Sequence, residues 1–230
     1  MNAIILCGGL STRLGDITKN IPKILLKIKG KTVLEWQVEK LKKIGIKEVV
    51  LAAGHLSGVL FEKVGLKCNG VELIYAIEET RLGTGGAIKH ALEYVNKKSD
   101  PTIILNGDVL TEIDFGEIVR NIKIDSDGII FGAKVEDAFT YGTLVFDKNG
   151  RLLEFKEKEG RHEPGFINGG IYIFNERVNK YFPDQDSFSI EYDVFPNMKD
   201  LYVYPSDKAW IDIGVPERLE WAEKNWNEIL

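Results

Sequence analysis

Two glycines, an arginine and a lysine converge in one stretch, Gly8-Gly9-Leu10-Ser11-Thr12-Arg13-Leu14 with Pro22-Lys23 downstream. Glycines let backbone N–H groups approach an anion, and Arg13 with Lys23 can bring two fixed cations to a polyphosphate. Neither GxxxxGKS/T nor GxGxxG is present, so P-loop ATPase and nicotinamide-binding classes lose their main support. The competing reading of the same residues is a tight strand-to-helix turn with two solvated cations.

A second group is Asn106-Gly107-Asp108, where a carboxylate follows an apolar run beside a glycine that leaves space. An oxygen ligand for Mg²⁺ suits that position; a turn former or helix cap is the alternative. Asp212, in Trp210-Ile211-Asp212-Ile213-Gly214, is a candidate partner, and two carboxylates can hold Mg²⁺ against a nucleotide phosphate. Spacing alone does not bring Asp212 to Asp108.

Small residues in Glu78-Glu79-Thr80-Arg81-Leu82-Gly83-Thr84-Gly85-Gly86-Ala87 open a helix and leave room for a flat base or an anion. They fit equally a glycine-rich helix start behind a solvated acidic pair. Glu157-Lys158 and Asn168-Gly169-Gly170 offer a carboxylate and an amide for sugar hydroxyls and a point charge for phosphate. Alternating charge along Glu154-Phe155-Lys156-Glu157-Lys158 is also what a half-exposed strand carries. Tyr141-Gly142 reads as a pocket wall or a turn aromatic, and Ser189 as a helix cap rather than a nucleophile. The histidines His55, His90 and His162 lack metal spacing and read as surface or satisfied residues.

Elements to position these groups are legible in the pattern. Ala3 to Cys7 is a short apolar run closed by glycines, as expected of a strand buried on both faces of a parallel sheet. Leu34, Val38 and Leu41 have helical spacing, Thr32 and Glu35 form a capping-box pattern, and Gly45 offers a stop. Strands are expected at Glu48 to Ala53, Glu72 to Ile77 and Thr102 to Leu105, with a helix carrying Ile88, Ala91, Leu92 and Val95 before the last. This β/α alternation predicts an α/β/α three-layer, Rossmann-like fold with a mostly parallel mixed sheet, whose ligands sit at the carboxyl ends of the strands.

Beyond about residue 128 the rhythm turns to strands at Gly128 to Val135, Thr143 to Phe146, Leu152 to Lys156 and Phe166 to Phe174. Asp147-Lys148-Asn149-Gly150 signals a hairpin turn, and a last helix runs from Pro216 to Trp226. The expectation is one domain, residues 1–230, with a nucleotide-binding half (1–127) and a sugar-binding half (128–230).

The chain has 230 residues, 44% of them hydrophobic, enough for a sizeable core, and a formal net charge of -5, which argues against holding a nucleic-acid backbone by bulk charge. Its two cysteines form no CxxC or Cys/His cluster, so a disulfide framework and a zinc site lack support. No apolar run approaches a membrane span and the first residues do not resemble a signal peptide, so the chain reads as cytoplasmic, with no membrane partner.

Taken in order, these motifs resemble the sugar-1-phosphate nucleotidyltransferases, or NDP-sugar pyrophosphorylases, over nearly the whole chain. Gly8 to Lys23 is similar to that family's GGxGTRLxPxTxxxPK signature, with Ser11 in place of the usual glycine and Asp16 in place of the usual proline. Leu82 to Ala87 resembles the base-contacting LGTxGA turn, Gly107-Asp108 the metal-binding GD pair, Glu157-Lys158 the EK pair, and Asn168-Gly169-Gly170 the NxG sugar contact.

The resemblance implies transfer of a nucleotidyl group from an NTP to a sugar 1-phosphate, with Mg²⁺ on Asp108 and Asp212. Arg13, Lys23 and Asp108 would be catalytic. Leu6, Gly8, Gly9, Glu79, Gly83 and Thr84 would bind the nucleotide, and Gly107, Tyr141, Gly142, Glu157, Lys158, Asn168 and Gly169 the sugar phosphate. Within the family, the short chain and LGTGGAI turn look most like guanylyltransferases for mannose 1-phosphate and, closer still, D-glycero-α-D-manno-heptose 1-phosphate. Thymidylyl and uridylyl relatives have similar turns. A homo-oligomer is compatible with the resemblance. The alternatives are a nucleotidyltransferase acting on a non-sugar substrate and a non-catalytic, nucleotide-sugar-binding subunit; the first is disfavoured by the second-half motifs, the second by the presence of Arg13, Lys23, Asp108 and Asp212.

Overall fold

The computed structural model describes residues 1–97, 100–123, 125–156 and 162–226. In chain order β1 (Asn2–Leu6) is followed by 3-10 segments at Thr12–Thr18 and Lys23–Leu25, then by β2 (Lys27–Ile28), β3 (Lys31–Thr32) and α1 (Val33–Lys43). Next come β4 (Glu48–Ala53), α2 (Ser57–Val64), β5 (Lys67–Cys68), β6 (Val71–Ile77), α3 (Gly83–Ala91), β7 (Thr102–Asn106), β8 (Val109–Thr111) and α4 (Phe115–Asn121). The remainder holds β9 (Gly128–Val135), β10 (Thr143–Phe146), β11 (Leu152–Lys156), β12 (Gly165–Phe174), a π-helical turn at Ile190–Val194, β13 (Leu201–Ser206), β14 (Trp210–Asp212) and α5 (Pro216–Asn225).

One ten-stranded sheet has the order β11-β10-β12-β7-β1-β4-β6-β5, with β9 joined to β12 and β13. Its centre, β7-β1-β4-β6, is parallel, and β12 runs antiparallel to both β7 and β9. The pleat divides the apolar residues of β1 between two cores. Ala3 and Ile5 pack with Leu34, Val38 and Leu41 of α1, Phe115 of α4 and Ala222 of α5, while Ile4 packs with Ile88 and Ala91 of α3 and with Ile190 and Val194. Helical layers on both faces make this the expected three-layer α/β/α fold. Burying each such aliphatic side chain contributes about 1.5–3 kcal/mol, which fixes the register because a one-residue slip would exchange the faces.

Local chemistry explains the element boundaries. Thr32 Oγ1 accepts from Glu35 N at 3.2 Å and Glu35 Oε2 accepts from Thr32 N at 2.7 Å, so the predicted capping box starts α1. Gly150, at φ 81, closes the predicted hairpin turn by donating to Asp147 O at 2.9 Å. The structure departs from expectation in α3, which ends at Ala91 although Val95 is still buried. It also adds α2, α4 and β13, which the pattern does not predict.

Candidate active site

At the carboxyl ends of the parallel strands lies a cleft of about 790 Å³. Leu6, Gly8, Gly9, Arg13, Lys23, Glu79, Gly83, Thr84, Gly107 and Asp108 all line it, so ten of the sequence-predicted site residues meet in one place. Strand β1 delivers the glycine loop, β6 the acidic pair and β7 the Gly107-Asp108 turn.

The floor of the cleft is an ion pair. Lys23 Nζ donates to Asp108 Oδ2 at 2.7 Å, with side chains 18% and 22% exposed. Screened Coulomb attraction and a charge-assisted hydrogen bond act together in such a half-buried site. Gly107 is required by close approach: its N–H donates to Leu6 O at 2.8 Å, and a Cβ there would stand 2.5 Å from that same oxygen. Gln37, a residue sequence reasoning does not single out, braces this turn from below. It is 3% exposed, and its Nε2 donates to Asn106 O at 2.8 Å and Val109 O at 2.9 Å, on either side of Gly107-Asp108.

Asp212 arrives by strand pairing. Strand β14 is antiparallel to β8 with Asp212 opposite Val109, and Ile213 N donates to Asp108 O at 2.9 Å. The two candidate metal carboxylates therefore sit on neighbouring backbone. Asp212 Oδ1 accepts from Gly214 N at 2.9 Å, and Oδ2 accepts from Arg218, which α5 carries. Arg13 reaches this corner as well, since a Cβ on Gly214 would lie 3.4 Å from its Nη2. Among the described residues no group of three or more His, Cys, Asp or Glu is arranged to hold a metal ion. Two carboxylates nevertheless suit Mg²⁺, which takes its remaining ligands from phosphates and water.

Glu78, rather than Glu79, is the constrained member of the acidic pair. Its carboxylate is half-buried, and Cβ atoms on Gly8 and Gly54 would stand 2.2 and 2.5 Å from Oε1, which explains both glycines. Oε2 accepts from Leu82 N at 3.3 Å, and desolvation raises the pKa against the opposing pull of that hydrogen bond. Glu79 lines the cleft but is exposed.

Two expectations need correction, one at the start of α3 and one at His90. The start of α3 is not open to an anion, because Gly85 N and Gly86 N donate to Phe188 O at 2.9 and 3.3 Å. A Cβ on Gly86 would lie 2.1 Å from Asp186 O, so this glycine serves helix packing. The Thr84 hydroxyl is likewise engaged, donating to Glu191 Oε2 at 2.7 Å and accepting from Ile190 N at 3.0 Å. Among the histidines, His55 is exposed as expected and lines the cleft, while His90 is not satisfied: its Nε2 is buried with no hydrogen-bond partner among the described residues.

Of the predicted sugar-side residues Gly107 lines the cleft, whereas Tyr141, Gly142, Asn168 and Gly169 do not; these four are engaged with their own neighbours. Asn168 spends its side chain internally, Oδ1 accepting from Gly170 N at 3.0 Å and Nδ2 donating to Tyr172 Oη at 2.9 Å. Gly169 O accepts from Trp210 Nε1 at 2.8 Å, and Trp210 packs edge-on to Tyr141 at 5.6 Å between ring centroids. Tyr141 Oη accepts from Arg218, and burial pushes its phenol up to about 12. A Cβ on Gly142 would lie 2.5 Å from Phe155 Cζ. Glu157 and Lys158 lie outside the described residues.

Among known proteins, the Nucleotidyl transferase family model matches residues 2–228. The chain is 40% identical over 220 residues to the D-glycero-alpha-D-manno-heptose 1-phosphate guanylyltransferase of Campylobacter jejuni, covering 94% of this chain and 96% of that one. It is 34% identical to the protein of that name from Aneurinibacillus thermoaerophilus, covering 97% of each. A crystal structure of HddC from Yersinia pseudotuberculosis complexed with GMP-PN superposes with a TM-score of 0.83 at 33% identity, covering 97% of this chain and 98% of that one. With matches that span both halves of the sequence, the chain belongs to the nucleotidyl transferase family.

Proposed function

We propose that the chain transfers a guanylyl group from GTP to a sugar 1-phosphate of the heptose or mannose type, giving a GDP-sugar and pyrophosphate. The observation that carries this reading is the Lys23–Asp108 pair, 2.7 Å apart in a cleft that also presents Gly8, Gly9 and Arg13. A phosphate oxygen of the sugar 1-phosphate attacks the α-phosphorus in line. The bond from that phosphorus to the bridging oxygen breaks, and pyrophosphate leaves with the electron pair. Arg13 and Lys23 neutralise the leaving group, so rate comes from positioning and charge stabilisation rather than from a covalent intermediate. Asp108 and Asp212 are the residues that would hold Mg²⁺, which when bound offsets phosphate charge and orients the α-phosphate. On its motif, Lys158 is assigned to the phosphate of the sugar.

Guanine is favoured by Glu78. A carboxylate accepts from two adjacent donors, and guanine offers N1–H beside its N2 amino group. Uracil and thymine offer one N–H between two carbonyls, and adenine presents a ring acceptor, so each meets Glu78 less well. The names of the relatives point the same way. A cytoplasmic setting, where nucleoside triphosphates are at hand, accords with the reading; among the described residues no helix is long and apolar enough to cross a membrane.

The test is pyrophosphate release with Mg²⁺ across GTP, CTP, UTP, dTTP and ATP against mannose, glucose, N-acetylglucosamine and D-glycero-α-D-manno-heptose 1-phosphates. The expected activity is with GTP and the heptose or mannose ester. Activity confined to dTTP or UTP with glucose 1-phosphate would replace the guanylyl reading.

A further inference from the structure

Asp212 has partners within the chain on both carboxylate oxygens. Its side chain is 15% exposed and its Oδ2 is held by Arg218, 22% exposed, while its Oδ1 accepts the Gly214 N–H at 2.9 Å. A carboxylate so sheltered requires a counter-charge, and among the described residues Arg218 is its only ion-pair partner. Arg218 has a second anchor on the sugar side. It donates to Tyr141 Oη, and its guanidinium carbon lies 5.2 Å from the centroid of the Tyr141 ring. Tyr141 is itself held by the edge of Trp210. The guanidinium can thus release Asp212 without losing its position.

We infer that Arg218 is the internal counter-cation of Asp212 in the metal-free chain, and that a divalent ion competes with it for Oδ2, so that Arg218 sets how tightly the chain holds its metal. The inference rests on the proposed role of Asp212 as a metal ligand. Arg218 and the ion carry like charge and use the same oxygen, so both cannot engage it at full strength. Lys23 stands in the same relation to Asp108, but Lys23 has a waiting phosphate partner in the proposed reaction. Arg218 is carried by α5 and, like Asp212 itself, is not among the residues that line the cleft, whereas Lys23 and Asp108 both are.

The experiment is Mn²⁺ binding, read by electron paramagnetic resonance of the free ion, in the full chain with a non-hydrolysable GTP analogue. Arg218→Met is expected to bind Mn²⁺ on the order of tenfold more tightly than the parent, since a competing charge-assisted hydrogen bond is gone. Arg218→Lys, which keeps the charge and loses the planar fork, should fall between the two. The metal-free melting temperature of Arg218→Met should drop, and Mg²⁺ should raise it by more than it raises the parent's. Unchanged or weaker Mn²⁺ binding in folded Arg218→Met overturns the competition. If Arg218→Met does not fold, unchanged or weaker binding in Arg218→Lys overturns it instead. Asp212→Asn separates the two ideas: parent-like Mn²⁺ affinity in that variant removes Asp212 from the metal site and takes the inference with it, whereas weakened affinity leaves the Arg218 result to decide.

Discussion

Lys23 and Asp108 are 85 residues apart in sequence and 2.7 Å apart in space. Each is there for a different local reason: Lys23 opens the 3-10 turn after Pro22, and Asp108 follows the glycine packed against Leu6 O. In the proposed reaction Lys23 is the cation for the leaving phosphate and Asp108 the carboxylate for the metal. Neither side chain is in the deep core, so truncation should spare the fold. Lys23→Ala and Asp108→Ala are each expected to lower turnover by about a hundredfold or more. Pyrophosphate release, with circular dichroism to show an intact fold, checks this; near-parental rates in either variant would take that residue out of the chemistry.

Glu78, the residue proposed to read guanine, is held at a cost in stability. Desolvation raises its pKa above the ordinary 4.5, so the folded chain binds the proton more tightly than the unfolded chain does. The cost is absent below the unfolded pKa, grows as pH rises through the interval up to the folded value, and stays constant above it. Glu78→Gln should therefore melt higher than the parent at neutral pH, with the gap shrinking on acidification, and should lose its preference for GTP. Melting curves from about pH 4 to about pH 8 decide the first part. A gap that widens toward acid would have the sign wrong.

Much of this was readable in the chain because the signals were local. The Thr32 and Glu35 capping box fixed the start of α1, and β9, β10 and β11 begin and end where their patterns do. What escaped is long-range. Strand β13 contains Pro205, which reads as a breaker, yet it pairs in parallel with β9 along its whole length. Asp212 reaches Asp108 through the β14–β8 register, and Gln37 bonds to carbonyls 69 and 72 residues away, so no window of sequence contains either relationship. Arg218 was hidden for another reason: among the charges of α5 it looks like any solvated helix residue. Glu78 and Glu79 differ only in how the glycines at 8 and 54 close around one of them.

Gln37 offers a test of how strictly the Asp108 turn must be held. Gln37→Met keeps the shape roughly and removes both donors, leaving the carbonyls of Asn106 and Val109 short of a partner. The expected loss is about 1–3 kcal/mol of stability, with kcat falling by more than substrate KM rises, because the turn places Asp108, the carboxylate assigned to the chemistry. Denaturant titration and steady-state kinetics measure the two effects. A variant that loses stability at full kcat would make Gln37 a plain core brace.

Ser11 stands where the GGxGTRLxPxTxxxPK signature has glycine, and its backbone conformation is one that glycine adopts without strain. Its φ of 55 and ψ of 33 lie in the left-handed region, and its side chain makes no capping hydrogen bond to the 3-10 turn that follows. The useful contacts belong to its carbonyl, which accepts from Leu14 N at 3.0 Å and Thr18 Oγ1 at 3.1 Å, and glycine would keep both. Left-handed geometry costs a non-glycine residue roughly 1–2 kcal/mol, whereas glycine adds roughly 0.5–1 kcal/mol in unfolded-chain entropy. Ser11→Gly should therefore stabilise the chain by about 0.5–1 kcal/mol, a difference within reach of urea denaturation. A less stable Ser11→Gly would mean that the hydroxyl contributes a bond worth more than the strain it accompanies.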